Sequence, residues 1–224
     1  MNLNLIYSIV GLLGGLICCV ADILLDLKGK DNKTIGHVHS SWDRMSLWRF
    51  HWSIILGAIS IPMYNLGIIS LGNQVEGASH TVGYILRLLG YLSNAYAIFI
   101  HTSICLGPCV YKAIGDEVYG AKAVEGLLKA CEKPFIVFYL VEIFGISGTV
   151  AYAIIRNYIQ LSNFFILLTP LVTFVFGMTL RKIKYDWFYD LPGIIMPSFG
   201  IACIGLIGIL NIVLNKDIPI KKTN

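Results

Sequence analysis

Residues 191–214 read LPGIIMPSFGIACIGLIGILNIVL, a run of 24 residues that contains no charged side chain. A transmembrane helix needs about 20 mostly apolar residues, because each residue advances about 1.5 Å across about 30 Å of hydrocarbon. Lipid offers no partner to backbone N–H and C=O groups, so a run of this length is expected to satisfy them as a helix. We therefore predict that residues 191–214 cross a membrane.

Five further apolar windows of similar length precede this run, at residues 5–25, 53–71, 84–111, 135–155 and 161–180. Together the six windows predict an all-α, polytopic transmembrane bundle of six helices, built as a single domain over residues 1–224. The first window begins almost at Met1 without a basic leading region or a small-residue cleavage site. We expect it to be retained as a helix rather than removed as a signal peptide.

The composition supports the same class. Hydrophobic residues make up 56% of the chain and charged residues 13%, whereas an ordinary soluble domain has about a quarter charged residues. A water-soluble fold could not cover so much apolar surface with so few charges. The net charge of +4 comes from Lys and Arg in short connections, which is typical of membrane proteins. We therefore expect membrane lipids as partners and no nucleic acid.

The distribution of Lys and Arg predicts the orientation, because cytoplasmic connections carry an excess of both. Of the 17 such residues, twelve lie in the first, third and fifth connections and five lie on the opposite side. The five are Arg87, Arg156, Lys216, Lys221 and Lys222. The long connections are therefore predicted to be cytoplasmic and both termini to lie outside, most simply in a bacterial inner (plasma) membrane. Lys221 and Lys222 in the tail argue mildly for the reverse.

The third connection has a pattern of its own. Between Asp116 and Lys133, apolar residues recur at helical spacing with charges elsewhere. This pattern predicts either a short interfacial helix on the inner membrane surface or a solvated helical loop.

Small residues and prolines indicate where helices approach and bend. Gly11, Gly15, Gly205 and Gly208 offer small surfaces for close helix packing. Pro170 is expected to kink the fifth span, and Pro197 the sixth.

Three ionisable residues lie within apolar windows, where a charged side chain would raise the free energy of the protein in lipid. Glu142 is in the fourth span, His101 in the third and Asp22 near the inner end of the first. A charged side chain at the centre of a bilayer costs at least about 2.5 kcal/mol, so each calls for an interior position or a partner. The predicted orientation puts all three in the cytoplasmic half, where they could meet. Asp22 could instead reach water or a loop lysine.

Two polar stripes suggest a polar contact between helices. In the third span Arg87, Asn94 and His101 recur every seven residues, which places them on one helix face. In the fourth span the stripe consists of Tyr139, Glu142, Thr149 and Tyr152. Stripes of this kind are expected to face each other inside the bundle rather than lipid.

These residues suggest a buried polar pocket. Glu142 and His101 would form an acid–base pair with Asp22, and Tyr139, Asn94 and Thr149 would contact a substrate. The favoured hypothesis is a protein that binds or transforms an apolar small molecule or lipid. A proton-coupled transporter of small solutes would use the same residues, and a structural or regulatory subunit would use them only as interhelical hydrogen bonds. Oligomeric state and substrate stay open.

Two metal hypotheses are weaker than their alternatives. His101, Cys105 and Cys109 stand on consecutive turns and span about 12 Å, too far to surround one ion. The loop residues His37, His39 and His51, with a nearby aspartate, could ligate a metal, but a solvated loop explains them as well. We expect no metal and no other cofactor.

Short motifs also resemble a known group. The run 42–49, WDRMSLWR, leads into the second span, Ala21-Asp22 ends the first span and Pro192-Gly193 opens the sixth. This combination resembles a group of uncharacterised bacterial integral membrane proteins with six spans. The resemblance covers most of the chain and implies no activity.

Overall fold

The computed structural model describes residues 2–27, 34–35, 38–39, 41–180, 182 and 191–215. The α-helices are α1 (Leu3–Asp26), α2 (Leu47–Val75), α3 (His80–Ile114), α4 (Glu117–Phe138), α5 (Ile146–Ile155), α6 (Pro170–Leu180) and α7 (Leu191–Leu214). A π-helical segment, Tyr139–Gly145, joins α4 to α5, and a 3-10 helix, Asn163–Leu168, precedes α6. Two short strands, β1 (Thr34–Ile35) and β2 (Val38–His39), pair antiparallel. The predicted all-α class is confirmed.

Five helical segments among the described residues are long and apolar enough to cross a membrane. They are Leu3–Asp26, Leu47–Val75, His80–Ile114, Glu117–Ile155 and Gly193–Leu214. Large apolar side chains stay exposed around the bundle, among them Ile59, Leu140 and Phe176. Exposed apolar patches this extensive are expected on a surface that contacts lipid. These features indicate an integral membrane protein.

The window 161–180 differs from the predicted continuous helix. It contains the 3-10 helix, an extended Thr169 with φ −73° and ψ 153°, and then α6, which has only 11 residues. Pro170 explains the break, because its ring fixes φ, disfavours a helical residue before it and suits the first position of a helix. Pro170 therefore starts a helix instead of kinking one, and the window lacks a single helix of membrane-crossing length.

The third connection is much shorter than predicted. Only Gly115 and Asp116 separate α3 from α4. Gly115 adopts φ +69°, and the Asp116 side chain accepts a hydrogen bond of 2.9 Å from the backbone N–H of Tyr119. The α4 helix then continues through the π-helical segment into α5 as one segment of 39 residues, Glu117–Ile155. The segment predicted as an interfacial helix or loop is thus helical and continuous with the helix that contains the fourth apolar window.

The apolar face of α4 has a partner within the protein. Val124 is fully buried in a cluster with Trp42, Phe50, Cys105 and Tyr111. The helical pattern between residues 116 and 133 therefore reflects packing against α2, α3 and the segment that precedes α2, rather than contact with lipid headgroups.

Glycines bring α1 close to α2 and α7, as predicted. A Cβ atom built on Gly11 would lie 2.5 Å from Cα of Gly67 in α2, and one built on Gly15 would lie 2.5 Å from Cα of Ala202 in α7. A Cβ atom on Gly205 would lie 2.7 Å from the carbonyl oxygen of Ser8. Distances under 3.0 Å leave no room for a side chain. The three helices therefore meet backbone to backbone, which is how small residues favour association in membranes.

Arg49 fastens the end of α1 to α2. Its Nε donates a hydrogen bond of 3.0 Å to the carbonyl oxygen of Leu24, and its Nη2 donates bonds of 3.1 Å to those of Ile23 and Leu27. The last carbonyls of a helix lack intrahelical donors and carry partial negative charge. The guanidinium group donates to three carbonyl oxygens at this end, of which that of Ile23 also accepts from the backbone N–H of Leu27.

We predict that Arg49→Lys lowers the free energy of unfolding by about 1–2 kcal/mol, because an ammonium keeps the charge and loses the fork. The midpoint of thermal unfolding in detergent should fall by a few degrees, whereas Arg44→Lys on the exposed Arg44 should leave it unchanged. Equal midpoints for the two variants would contradict this role of Arg49.

Candidate functional site

A cavity of about 240 Å³ lies among α1, α2, α3, α6, α7 and the junction of α4 with the π-helical segment. Asp22, His101 and Glu142, the three ionisable residues singled out in the sequence, all line it. The other described residues that line it are Cys18, Leu25, Asp26, Ile61, Tyr64, Ala97, Ile100, Ile104, Phe135, Phe138, Tyr139, Ile143, Phe174, Gly193, Ile194, Pro197 and Ser198.

His101 pairs with Asp22 across the contact between α3 and α1. Nδ1 of His101 lies 3.6 Å from Oδ1 of Asp22, and Nε2 lies 3.0 Å from the carbonyl oxygen of Ser53. A carbonyl oxygen can only accept, so Nε2 is assigned a proton. Nδ1 faces the carboxyl group of Asp22. This contact is attractive only when one more proton is present, either on Nδ1 or on the carboxyl group. Asp22 and His101 therefore form a site that can hold and release a proton.

Other residues fix the orientation of this pair. The Ser53 hydroxyl donates a 2.8 Å hydrogen bond to the carbonyl oxygen of Ala21 and lies 3.2 Å from Nε2 of His101. The Ser198 hydroxyl, on α7, donates to Oδ2 of Asp22. Gly57 leaves the space that the imidazole occupies, because a Cβ there would overlap the ring. Asp22 thus contacts α3 and α7, and the loop lysines Lys28, Lys30 and Lys33 lie outside the described residues.

Glu142 lies in the π-helical segment on another wall of the cavity. Its Oε2 accepts hydrogen bonds of 3.0 Å from the Tyr64 hydroxyl and 2.6 Å from the Ser93 hydroxyl, and its side chain is buried. Among the described residues no donor reaches Oε1. A π-helical turn inserts one extra residue into the helix and is frequent at functional sites.

The predicted direct pair of His101 and Glu142 is not formed. His101 contacts Asp22 and Ser53, whereas Glu142 contacts Tyr64 and Ser93, and no hydrogen bond or ion pair joins the two among the described residues. They share the cavity without touching, because the pairing of α3 with α1 and α2 brings His101 to Asp22.

The three residues predicted to contact a substrate lie in different surroundings. Tyr139 lines the cavity, with its ring centroid 5.4 Å from that of Phe138 and 6.3 Å from that of Phe174. Asn94 and Thr149 are not among the lining residues. The Thr149 hydroxyl donates to the carbonyl oxygen of Gly145 one turn earlier, and the buried Oδ1 of Asn94 has no hydrogen-bond partner among the described residues.

Four hydroxyl residues of the site were missed in the sequence: Ser53, Tyr64, Ser93 and Ser198. A spacing of four residues along α3 would have found one of them, because Ser93, Ala97 and His101 lie on the same helix face. The seven-residue spacing of Arg87, Asn94 and His101 pointed to the neighbouring Asn94 instead. The other three had no comparable signal.

The metal hypotheses gain no geometric support. Within the part of the chain that the structure describes, no group of three or more His, Cys, Asp or Glu side chains could hold an ion. His37 lies outside the described residues, as does the side chain of His39, and His51 is exposed on α2. Cys105 donates a hydrogen bond of 3.3 Å to the Ser53 hydroxyl.

A second polar cluster closes the opposite end of the bundle. The Ser8 and Ser70 hydroxyls lie 2.9 Å apart, Gln74 donates to Ser70 over 3.1 Å, and Asn211 donates to Gln74 over 2.9 Å. These bonds link α1, α2 and α7, as expected for asparagines that join neighbouring helices.

Arg87 also belongs to this end. Its guanidinium donates to both carboxylate oxygens of Glu76, and these hydrogen bonds lower the pKa of Glu76. The stripe of Arg87, Asn94 and His101 thus spans the bundle from one polar end to the other, and only His101 reaches the cavity.

Comparison with known proteins identifies a family and no activity. A family model described as a family of unknown function, DUF6796, matches residues 1–215. No curated protein and no solved structure matches the chain. The match confirms the resemblance to an uncharacterised group.

Proposed function

The chain belongs to the DUF6796 family, whose function is unknown, and we propose that it is an integral membrane protein that binds an apolar small molecule or lipid in the cavity around Asp22, His101 and Glu142. One observation carries the proposal: ionisable side chains from three separate helical segments converge on one cavity with a mostly apolar wall. Each of them is costly in a membrane interior, and polar groups that converge in an apolar pocket are the usual signature of a binding site.

Proton transfer to or from the ligand is part of this proposal. The Asp22–His101 pair needs one proton beyond the one on Nε2, and Glu142 offers an oxygen that no described donor occupies. Positioned acids and bases of this kind speed up proton transfer in reactions. We assign Asp22, His101 and Glu142 to this role, and Tyr139 to contact with the ligand.

Transport is less well supported than binding, because it would need a polar route between both membrane faces. Along α2, Ile68 and Leu71 separate the cavity residue Tyr64 from Gln74, and along α7, Ile204 and Ile207 separate Ser198 from the other end. All four isoleucine and leucine side chains are fully buried. A packed apolar layer of this kind favours a cavity open at one end.

Six passes across the membrane fit the course of the chain. The backbone N–H of Gln160 donates to Asn211 at the end distant from the cavity, whereas Phe174 lines the cavity, so residues 163–180 return across the bundle. A 3-10 helix of six residues rises about 12 Å and an α-helix of 11 residues about 16 Å, which together approach the thickness of the hydrocarbon. We infer a sixth span built from these two short helices.

The excess of Lys and Arg in the first and fifth connections, at the end of α3 and in the first part of α4 supports an orientation with the cavity toward the cytoplasm and both termini outside. We propose this topology in a bacterial inner membrane.

Analysis of what co-purifies with the protein tests the proposed function. Native mass spectrometry and solvent extraction of detergent-purified protein should yield a bound small molecule or lipid. Glu142→Gln, which keeps the shape and can still accept from Tyr64 and Ser93, should weaken binding by about tenfold, the effect of about 1.4 kcal/mol, and so lower the occupancy. Glu125→Gln removes an exposed carboxylate of α4 and should change nothing. Equal occupancy in both variants, or no bound molecule in the wild type, would overturn the proposal.

A further inference from the structure

The cavity has a marked imbalance of charge. Among the described residues that line it are three carboxyl groups, Asp22, Asp26 and Glu142, together with His101, and no Lys or Arg. An anionic ligand would meet like charge there, and like charges in a poorly solvated site repel strongly. A cationic group would find opposite charge at Glu142, which among the described residues accepts hydrogen bonds only from hydroxyl groups, whereas Asp22 already faces His101.

The apolar part of the wall includes a group of aromatic rings. Tyr64, Phe135, Phe138, Tyr139 and Phe174 all line the cavity. The ring centroid of Tyr139 lies 6.5 Å from that of Phe135, and Phe138 and Phe174 contact the same ring. Aromatic faces attract organic cations, most strongly where water is excluded. A hydrated metal ion would gain little here, because Ca²⁺ and Mg²⁺ need about six oxygen ligands.

We propose that the ligand of this cavity is a small organic cation, a substituted ammonium that carries an aryl or alkyl group. This inference rests on the proposed function and specifies its ligand. The ammonium lies near Oε1 of Glu142, the oxygen that accepts no hydrogen bond from described residues, and the apolar group lies against Tyr139 and Phe174. A cavity of about 150 Å³ holds benzene, so 240 Å³ is enough for one ring with an ammonium substituent.

Binding of benzyltrimethylammonium tests this inference. The probe keeps its charge at any pH and has no N–H, so it reports attraction to a cation separately from proton transfer. Radiolabelled benzyltrimethylammonium is equilibrated by dialysis against the full chain in nanodiscs of zwitterionic lipid, with empty nanodiscs as background. Benzyl alcohol and phenylacetate serve as the neutral and anionic probes of similar size. We expect saturable binding of the cation, binding of the alcohol at least about tenfold weaker, and no saturable binding of phenylacetate.

Two variants locate the binding. Glu142→Gln should weaken binding of the cation by about tenfold or more, and the control Glu125→Gln should not change it. If Glu142→Gln fails to fold, Tyr139→Leu, which removes an aromatic face and no charge, should weaken cation binding about fivefold and leave that of benzyl alcohol nearly unchanged.

Two results would overturn the inference in distinguishable ways. Benzyl alcohol bound as tightly as the cation, with no effect of Glu142→Gln on the cation, would remove the preference for cations and leave the proposed apolar binding site standing. No saturable binding of either probe, together with no molecule that co-purifies, would overturn the inference and the proposed function alike.

Discussion

Replacing Gly205 with leucine is expected to abolish the folded bundle. A Cβ at this position would lie 2.7 Å from the carbonyl oxygen of Ser8 and 2.9 Å from Cα of Leu12, and it would also overlap the backbone nitrogen of Leu12. Backbone atoms cannot turn aside as a flexible side chain can, so α1 and α7 would have to separate. Overpacking typically costs about 1–3 kcal/mol where side chains can yield, and we expect more here.

The loss of stability would extend beyond the contact between α1 and α7. Separation of α1 from α7 would break the polar cluster of Ser8, Gln74 and Asn211, and would move Ser198 away from Asp22. A typical protein has only about 5–15 kcal/mol of stability, so the combined loss should exceed what the bundle can tolerate. We predict that Gly205→Leu gives no monodisperse peak in size-exclusion chromatography after extraction in detergent.

Gly126→Leu is the matched control for this experiment. Gly126 lies in α4 with nothing within 4 Å of its added Cβ, and leucine favours helix more than glycine does. This variant should fold as the wild type does. A Gly205→Leu protein with the elution profile and thermal midpoint of Gly126→Leu would refute the close approach of α1 and α7.

The second large effect is expected when Glu142 loses both of its donors. Tyr64→Phe and Ser93→Ala each remove one hydroxyl that donates to Oε2 of this buried carboxyl group. A hydrogen bond to a charged group contributes about 1.5–3 kcal/mol, and an uncompensated buried charge costs about 3–5 kcal/mol. The double variant should therefore lose about 2–3 kcal/mol in the free energy of unfolding, measured by denaturation in mixed detergent micelles, because a carboxyl group without donors can take up a proton and so limit the loss.

Neutralising the carboxylate should recover much of this loss. Adding Glu142→Gln to the double variant leaves a polar amide but no charge, so we expect at least about half of the stability to return. Thr149→Val is the control for removal of a hydroxyl, because among the described residues the Thr149 hydroxyl bonds only the carbonyl oxygen of Gly145, one turn earlier. If the double variant is no less stable than Thr149→Val, or if Glu142→Gln destabilises it further, the two hydroxyls do not support a buried charge.

Most of the helices could be predicted from the sequence because a membrane requires a long apolar helix to span it. Runs of about 20 apolar residues located α1, α2, α3, α5 and α7 directly. The prediction of one continuous helix over residues 161–180 was wrong, because apolar content does not show the local conformation that Pro170 enforces. The continuity of residues 117–133 with the fourth apolar window was missed for a related reason. An amphipathic pattern does not tell whether the apolar face packs against a neighbouring helix or a membrane surface.

The site could be predicted in part. Asp22, His101 and Glu142 stood out because an ionisable residue within an apolar span is energetically costly and easy to find in a sequence. Their positions along the helices also predicted that all three lie at a similar depth in the membrane. Depth does not give the rotation of each helix or its neighbours, so Glu142 was paired with His101 when Asp22 is the residue that contacts it. Hydroxyl groups such as those of Tyr64 and Ser93 cost little in a membrane helix, so they give no comparable signal.

The contact between His101 and Asp22 in a lipid bilayer is the most direct test of the convergence of charged groups on one cavity. Solid-state NMR can measure the dipolar coupling between ¹⁵N-labelled histidine Nδ1 and ¹³C-labelled aspartate carboxyl carbons in reconstituted protein. We predict a short-range coupling in the wild type, because Nδ1 lies 3.6 Å from Oδ1 of Asp22. This coupling should persist in Asp116→Asn and disappear in Asp22→Asn. No coupling in the wild type, or the same coupling after Asp22→Asn, would contradict the arrangement on which the proposed site depends.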